Sequence, residues 1–175
     1  MNADRVLVAF GSRHGSTAEI ASWIGDELRT QGLSVDVFPT ADVDDLAPYR
    51  AVVVGGSVYV GRWDADARRF ARRHQRALRE RPVWLFSSGP LDDSADHGDV
   101  ALAPSAAGAT RRVRAREHVT FGGRLAPDTP GAIARAMAKD HAGDWRNPDR
   151  VRAWAREIAV SLTGDRPQAL EGSHP

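Results

Sequence analysis

Arg5-Val6-Leu7-Val8-Ala9-Phe10-Gly11-Ser12-Arg13-His14-Gly15-Ser16-Thr17 is the stretch whose reading decides the fold. The apolar, β-branched residues Val6, Leu7 and Val8 read as a buried strand that stops at Gly11. A turn of Ser, Gly and basic residues follows, and an amphipathic helix starts at Thr17. Strand, hydroxyl-rich turn and helix start, in that order, aim free backbone N–H groups and hydroxyls at one point. The helix dipole also favours negative charge there, so the unit is a seat for a phosphate. A Ser/Thr-capped helix after a glycine turn would use the same residues without any ligand.

Outward from this unit, strand-like runs alternate with helical ones. The apolar runs are 6–10, 35–38, 51–54, 83–86 and 119–121, several of them continuous, as expected of strands covered on both faces. The segment 17–28 places Ile20, Ala21, Ile24 and Leu28 on one side. A second helix is expected over 64–78, with Ala67, Phe70, Ala71, His74 and Leu78 inward and His74 satisfied in the core. The last, 149–162, carries the stripe Val151, Trp154, Ala155, Ile158 and Leu162, with Asn147-Pro148 before it and Gly164 and Pro167 after it. Shorter helices are expected over 42–47 and 100–116. The alternation predicts an α/β fold, a doubly wound five-stranded parallel sheet with helices on both faces. Residues 1–164 read as one domain, and 165–175, with Pro, Gly and Ser, as a disordered tail.

Ligands of such sheets bind outside the carboxyl ends of the strands, which directs attention to three loops. The first is Ser12-Arg13-His14-Gly15-Ser16-Thr17. It lacks the Gly-Lys-Ser/Thr ending of a triphosphatase loop and the glycine spacing of a dinucleotide fingerprint. The second, Gly55-Gly56-Ser57-Val58-Tyr59-Val60-Gly61-Arg62-Trp63, sets two aromatics beside glycines. Tyr59 and Trp63 suit stacking on a planar ring that glycine backbone can approach, or they staple the next helix, the favoured role for Trp63. The third, Ser87-Ser88-Gly89-Pro90-Leu91-Asp92-Asp93, leaves main-chain groups free for a heteroaromatic edge.

Composition narrows the chemistry. Of 175 residues, 42% are hydrophobic and 27% charged, as in ordinary globular proteins. The absence of cysteine excludes disulfides, thiolate metal sites and thiol catalysis. A net charge of +1 gives no general steering toward nucleic acid, and the arginines of 68–81 and 111–116 read as solvated faces. No metal site is expected. The histidines have no zinc spacing, and the stretch 92–99 fails the calcium-loop spacing, since Ala95 occupies a ligand position when counted from Asp93. Ser87 and Ser88 lack a hydrolase elbow. With Gly11-Ser12 and Gly55-Gly56-Ser57 after the first and third strands, a receiver-type signalling domain is rejected for want of acidic residues. No signal peptide or transmembrane run is expected, which places the protein in the cytoplasm.

These three loops resemble those with which the flavodoxin-like family binds FMN. The family's phosphate loop, Thr/Ser-x-Thr-Gly-x-Thr, is matched by Ser12-Arg13-His14-Gly15-Ser16-Thr17, with His14 in place of one Thr. Arg13, the run Gly56-Ser57-Val58-Tyr59-Val60-Gly61, Asp144-Trp145 and Trp154-Ala155-Arg156-Glu157-Ile158 are similar to the bacterial menaquinone-dependent protoporphyrinogen oxidase type. The likeness runs over roughly 5–162. It implies FMN as cofactor, with Ser12, Arg13, His14, Gly15, Ser16 and Thr17 at the phosphate. Ser57, Val58, Tyr59 and Gly61 would lie on one side of the ring and Ser88, Gly89, Pro90 and Leu91 on the other, with Asp92 near the pyrimidine edge. Leu91, where carrier flavodoxins often have an aromatic, and the near-neutral charge point to an FMN oxidoreductase acting on a porphyrinogen or quinone. The alternatives are an electron carrier or flavin-binding module, and a deazaflavin in place of FMN. The expected partner is a small-molecule or protein redox partner rather than nucleic acid, and a homodimer stays open. In the alanine-rich segment 132–139, shorter than that type implies, Arg135 and Lys139 join Arg124 and His141 as candidates for substrate carboxylates or as solvated charges.

Overall fold

The computed structural model describes residues 4–12, 15–98, 100–128, 130–132, 135–136, 139 and 142–164. β1 (Arg5–Gly11) lies between β2 (Ser34–Pro39) and β3 (Tyr49–Tyr59), and β5 (Val83–Ser88) and β6 (Glu117–Phe121) extend the sheet beyond β3. All five run parallel in the order β2-β1-β3-β5-β6, and β4 (Arg62–Trp63) returns antiparallel to the end of β3. This is the flavodoxin-like order, with its switch point between β1 and β3.

The continuous apolar run in β1 serves two layers at once. Val6 and Val8 join a core with Ile20, Ile24, Val151, Trp154 and Ile158, whereas Leu7 and Ala9 join another with Phe70, Leu78, Ala106 and Val113. Alternate side chains of a strand point to opposite faces, so both faces must be covered. α1 (Ser16–Thr30) and α5 (Pro148–Gly164) cover one; α2 (Ala65–Arg73), α3 (Gln75–Arg79) and α4 (Pro104–Val113) cover the other. Asn147 Oδ1 accepts from the Arg150 amide at 3.1 Å, which caps α5 where Asn147-Pro148 predicts its start.

Three helix expectations need correction. The helix expected over 64–78 is two, broken at His74 (φ −101°, ψ 16°). Burial lowers the pKa of His74, and its Nε2 is buried without a hydrogen-bond partner among the described residues, so it is only partly satisfied. Over 42–47 there is no α-helix. A 3-10 turn ends at Asp42, Val43 is extended, and Asp45 Oδ1 accepts from the Ala47 amide at 2.9 Å, a local bond that competes with helix formation. The helix expected over 100–116 is shorter, starting at Pro104, whose fixed φ suits a first turn, and ending at Arg114 with φ 56°. The segment 165–175 and His141 lie outside the described residues.

His118, which carries no sequence motif, forms a polar link inside the second layer. Its ring nitrogens lie 2.8 Å from Ser87 Oγ and 2.7 Å from Thr110 Oγ1. Thr110 gives its hydroxyl proton to the Ala106 carbonyl (2.9 Å), so His118 Nδ1–H donates to Thr110 and Nε2 accepts from Ser87. Burial pushes the His118 pKa down to about 4 from 6.5, because the charged ring would lose solvation. A depressed histidine stabilises the fold above the unfolded value, and this contribution is lost as pH falls from 6.5 to about 4. The expected loss is about 2–3 kcal/mol. Urea melts at pH 7 and pH 4 check it, with His118→Phe flattening the difference.

Candidate functional site

The carboxyl ends of β1, β3 and β5 and the segment after β6 frame a cleft of about 610 Å³ of empty volume, partly open to solvent. Ser12, Ser16 and Thr17 line it from the first loop. Gly15, at φ 81°, turns the chain into α1, and its amide donates to Ser12 Oγ at 3.0 Å. Only glycine takes that conformation without steric cost. The Ser16 and Thr17 hydroxyl oxygens are buried and have no hydrogen-bond partner among the described residues. Thr17 has no exposed surface at all, so its hydroxyl is a desolvated donor awaiting an acceptor. Arg13 and His14 lie outside the described residues.

The second sequence loop is a strand for most of its length. Ser57, Val58 and Tyr59 belong to β3, and Val58 and Tyr59 pair with Trp63 and Arg62 of β4 across a two-residue turn. Ser57, Val58, Tyr59 and Val60 line the cleft, whereas Gly61 only shapes the turn. Trp63 is a staple: it is 1% exposed, and its indole N–H donates to the Phe86 carbonyl at 3.3 Å. Gly55 and Gly56 are not open for a ring to approach. A Cβ on them would fall 1.9 Å from the Phe86 ring and 2.6 Å from the Trp63 indole nitrogen, so close packing explains both.

Val60 (φ 48°) and Gly61 (φ 66°) make the turn, both at positive φ as a type I′ hairpin requires. A β-branched residue is strained there, and Val60 is 68% exposed. Val60→Asn supplies the residue this turn prefers and is expected to raise stability by about 1 kcal/mol in urea denaturation.

From the third loop, Ser88, Gly89 and Leu91 line the cleft. Pro90 does not; its carbonyl accepts from the Gly123 amide at 2.8 Å. The Asp92 carboxylate faces its own chain, accepting from the Ser94 amide at 3.0 Å and from the Ser94 hydroxyl.

The segment after β6, where the sequence offers Arg124 as a candidate for substrate carboxylates, supplies a fourth wall beside the three loops. Gly123, Arg124 and Leu125 follow β6, and β7 (Arg124–Leu125) pairs with β8 (Gly143–Asp144). The Gly122-Gly123 pair was the available signal: a Cβ on Gly122 would sit 2.0 Å from the Trp145 carbonyl oxygen. Arg124 lies at the cleft, 3.8 Å from Glu19 of α1, and is the one charged group among the described residues that line it. Arg135 and Lys139 are exposed and do not line the cleft.

Behind Arg124 sits a buried guanidinium. The Arg146 side chain is 5% exposed, pairs with Glu19 and with Asp144 (2.6 Å), and lies 5.0 Å over the Trp23 ring. Its hydrogen bonds hold the Asp144 carboxyl below the ordinary carboxylate range. No metal-binding group of acidic, His or Cys side chains occurs among the described residues. No helix among them is long and apolar enough to cross a membrane.

Comparison with known proteins agrees with this arrangement. The protoporphyrinogen IX dehydrogenase [quinone] of Escherichia coli K12 is 29% identical over 85 residues. That alignment covers 47% of each protein, so the chain spans about half the length of the curated relatives it matches. Oxidised flavodoxin 2 from Bacillus cereus superposes with a TM-score of 0.60 at 19% identity, covering 91% of this chain and 99% of that one. Rubredoxin oxygen:oxidoreductase from Desulfovibrio gigas gives 0.63 at 13% identity, covering 92% of this chain and 36% of that one. A family model described as "Flavodoxin domain" matches residues 7–140. On that match, and with the sheet order and cleft that accompany it, the chain belongs to the flavodoxin-domain family.

Proposed function

We propose that the cleft binds FMN and that the protein is an FMN-dependent oxidoreductase. The observation behind this reading is the pair of buried hydroxyls on Ser16 and Thr17, without a hydrogen-bond partner among the described residues, where α1 meets the cleft. Buried donors without acceptors are costly, and a phosphate at a helix N-terminus satisfies them together with the first-turn amides. Val58, Val60, Leu91 and Leu125 supply apolar walls for a planar ring, and Tyr59 an aromatic edge. FMN, when bound, supplies the electron or hydride transfer. The chain's part is to hold the phosphate through Ser12, Ser16 and Thr17, with Arg13 and His14 as further contacts, and to keep water from the ring with its apolar walls.

Leu91 leaves one wall without an aromatic, which favours access for a substrate over a sealed electron carrier. The chemistry named for the E. coli relatives suggests a quinone or porphyrinogen as that substrate. The test is fluorescence titration with FMN, followed by turnover assays with a quinone and with a porphyrinogen. Quenching with turnover is the expected result. Absence of quenching overturns the cofactor, and quenching without turnover leaves the carrier reading in its place. A bound chromophore with a deazaflavin absorbance maximum instead of that of FMN would replace the cofactor alone.

A further inference from the structure

We infer that Arg124 recognises the phosphate end of the cofactor, exchanging its ion pair with Glu19 for one with the phosphate; this rests on the FMN reading above. Among the described residues the seat is neutral: its donors are the hydroxyls of Ser12, Ser16 and Thr17 and backbone amides. Glu19 stands one helical turn beyond Ser16, where its carboxylate would repel a phosphate dianion. Among the described residues two cations counter it, and they are held very differently. Arg146 is buried between Glu19 and Asp144, with Trp23 beneath it, and has no freedom to leave. Arg124 is half-exposed and lies 3.8 Å from Glu19, beyond ordinary hydrogen-bond length.

Its backbone is anchored, so only the side chain has to move. The Gly123 amide donates to the Pro90 carbonyl at 2.8 Å, the Trp145 amide donates to the Gly123 carbonyl at 3.0 Å, and Arg124 is in register with Asp144. A dianion arriving at Ser16 and Thr17 outweighs a carboxylate that Arg146 already neutralises. The planar guanidinium also matches phosphate oxygens two at a time. Arg124 thereby acts as a phosphate-reading residue supplied by the segment after β6, across the cleft from α1.

The test compares FMN with riboflavin, which differ only in the phosphate. Dissociation constants are measured for both flavins with the full chain, with Arg124→Gln and with Arg124→Lys. Arg124→Gln is expected to weaken FMN about tenfold, while riboflavin changes by less than about twofold. Arg124→Lys should keep most of the FMN affinity because the charge remains. The FMN affinity of the unaltered chain should fall with salt more steeply than that of Arg124→Gln. Equal losses for both flavins, or no loss for FMN, overturn the inference while leaving the cofactor assignment standing. Failure of the unaltered chain to bind either flavin removes the cofactor and this inference together. Unchanged thermal melting of both variants confirms that an exposed side chain was altered and not the fold.

Discussion

Ser16→Ala combined with Thr17→Val is expected to weaken FMN binding about 100-fold while the unliganded protein melts no earlier than before. The two halves of this result have one cause. Both hydroxyls are desolvated and without a partner among the described residues, so removing that of Ser16 and replacing that of Thr17 by the isosteric valine methyl removes a penalty and no bond seen there. With FMN bound, each hydroxyl would donate to a phosphate oxygen, a charge-assisted bond of about 1.5 kcal/mol, and two such bonds are about 3 kcal/mol. Stability and affinity therefore move in opposite or independent directions, the pattern of a binding site that carries strain for its ligand. Valine preserves the volume of Thr17, which has no exposed surface, so cavity formation does not blur the comparison. Fluorescence titration and thermal melting measure the two halves. Unchanged FMN affinity would remove both hydroxyls from the site, and a large fall in melting temperature would make them structural.

Gly55→Ala is expected to cost at least about 3 kcal/mol, the upper range for forcing atoms into a packed core. Gly55 and Phe86 are neighbours across β3 and β5, and an alanine methyl would sit 1.9 Å from the Phe86 ring. The ring cannot swing away freely. It is fully buried, with the Phe121 ring 6.0 Å and the Trp154 ring 6.3 Å from it, centre to centre. Urea denaturation measures the loss. In the double variant Gly55→Ala/Phe86→Leu the smaller side chain makes room, so the two costs should add to less than their sum. Full additivity would show that the alanine is accommodated by backbone movement instead.

The turn proposed to hold a phosphate was legible as a strand-turn-helix unit because its chemistry is local: a strand end, Gly15, two hydroxyl residues and a helix start lie within a few residues of one another. The strands were legible for a similar reason. Val6, Leu7, Val8 and Ala9 have no polar face, which only a two-sided burial explains. Reading 55–63 as a loop failed because glycines and aromatics in sequence do not say whether they touch each other. Gly56 and Trp63 do, through the hairpin that β4 makes with β3. The helix expected over 42–47 failed because Asp45 bonds its own backbone, an alternative that periodicity does not register.

Local order in the chain thus determined the five parallel strands, the first and last helices and the turn proposed for an anion, since periodicity, turn chemistry and helix ends act over a few residues. Tertiary structure alone decided what meets across long separations: Arg124 with Glu19, Arg146 with both Glu19 and Asp144, His118 with Ser87 and Thr110. Those partners depend on strand order and on where β7 and its pairing with β8 sit beside the cleft. Neither is written in the spacing of any one segment, because burial and charge pairing are properties of the assembled sheet and its layers.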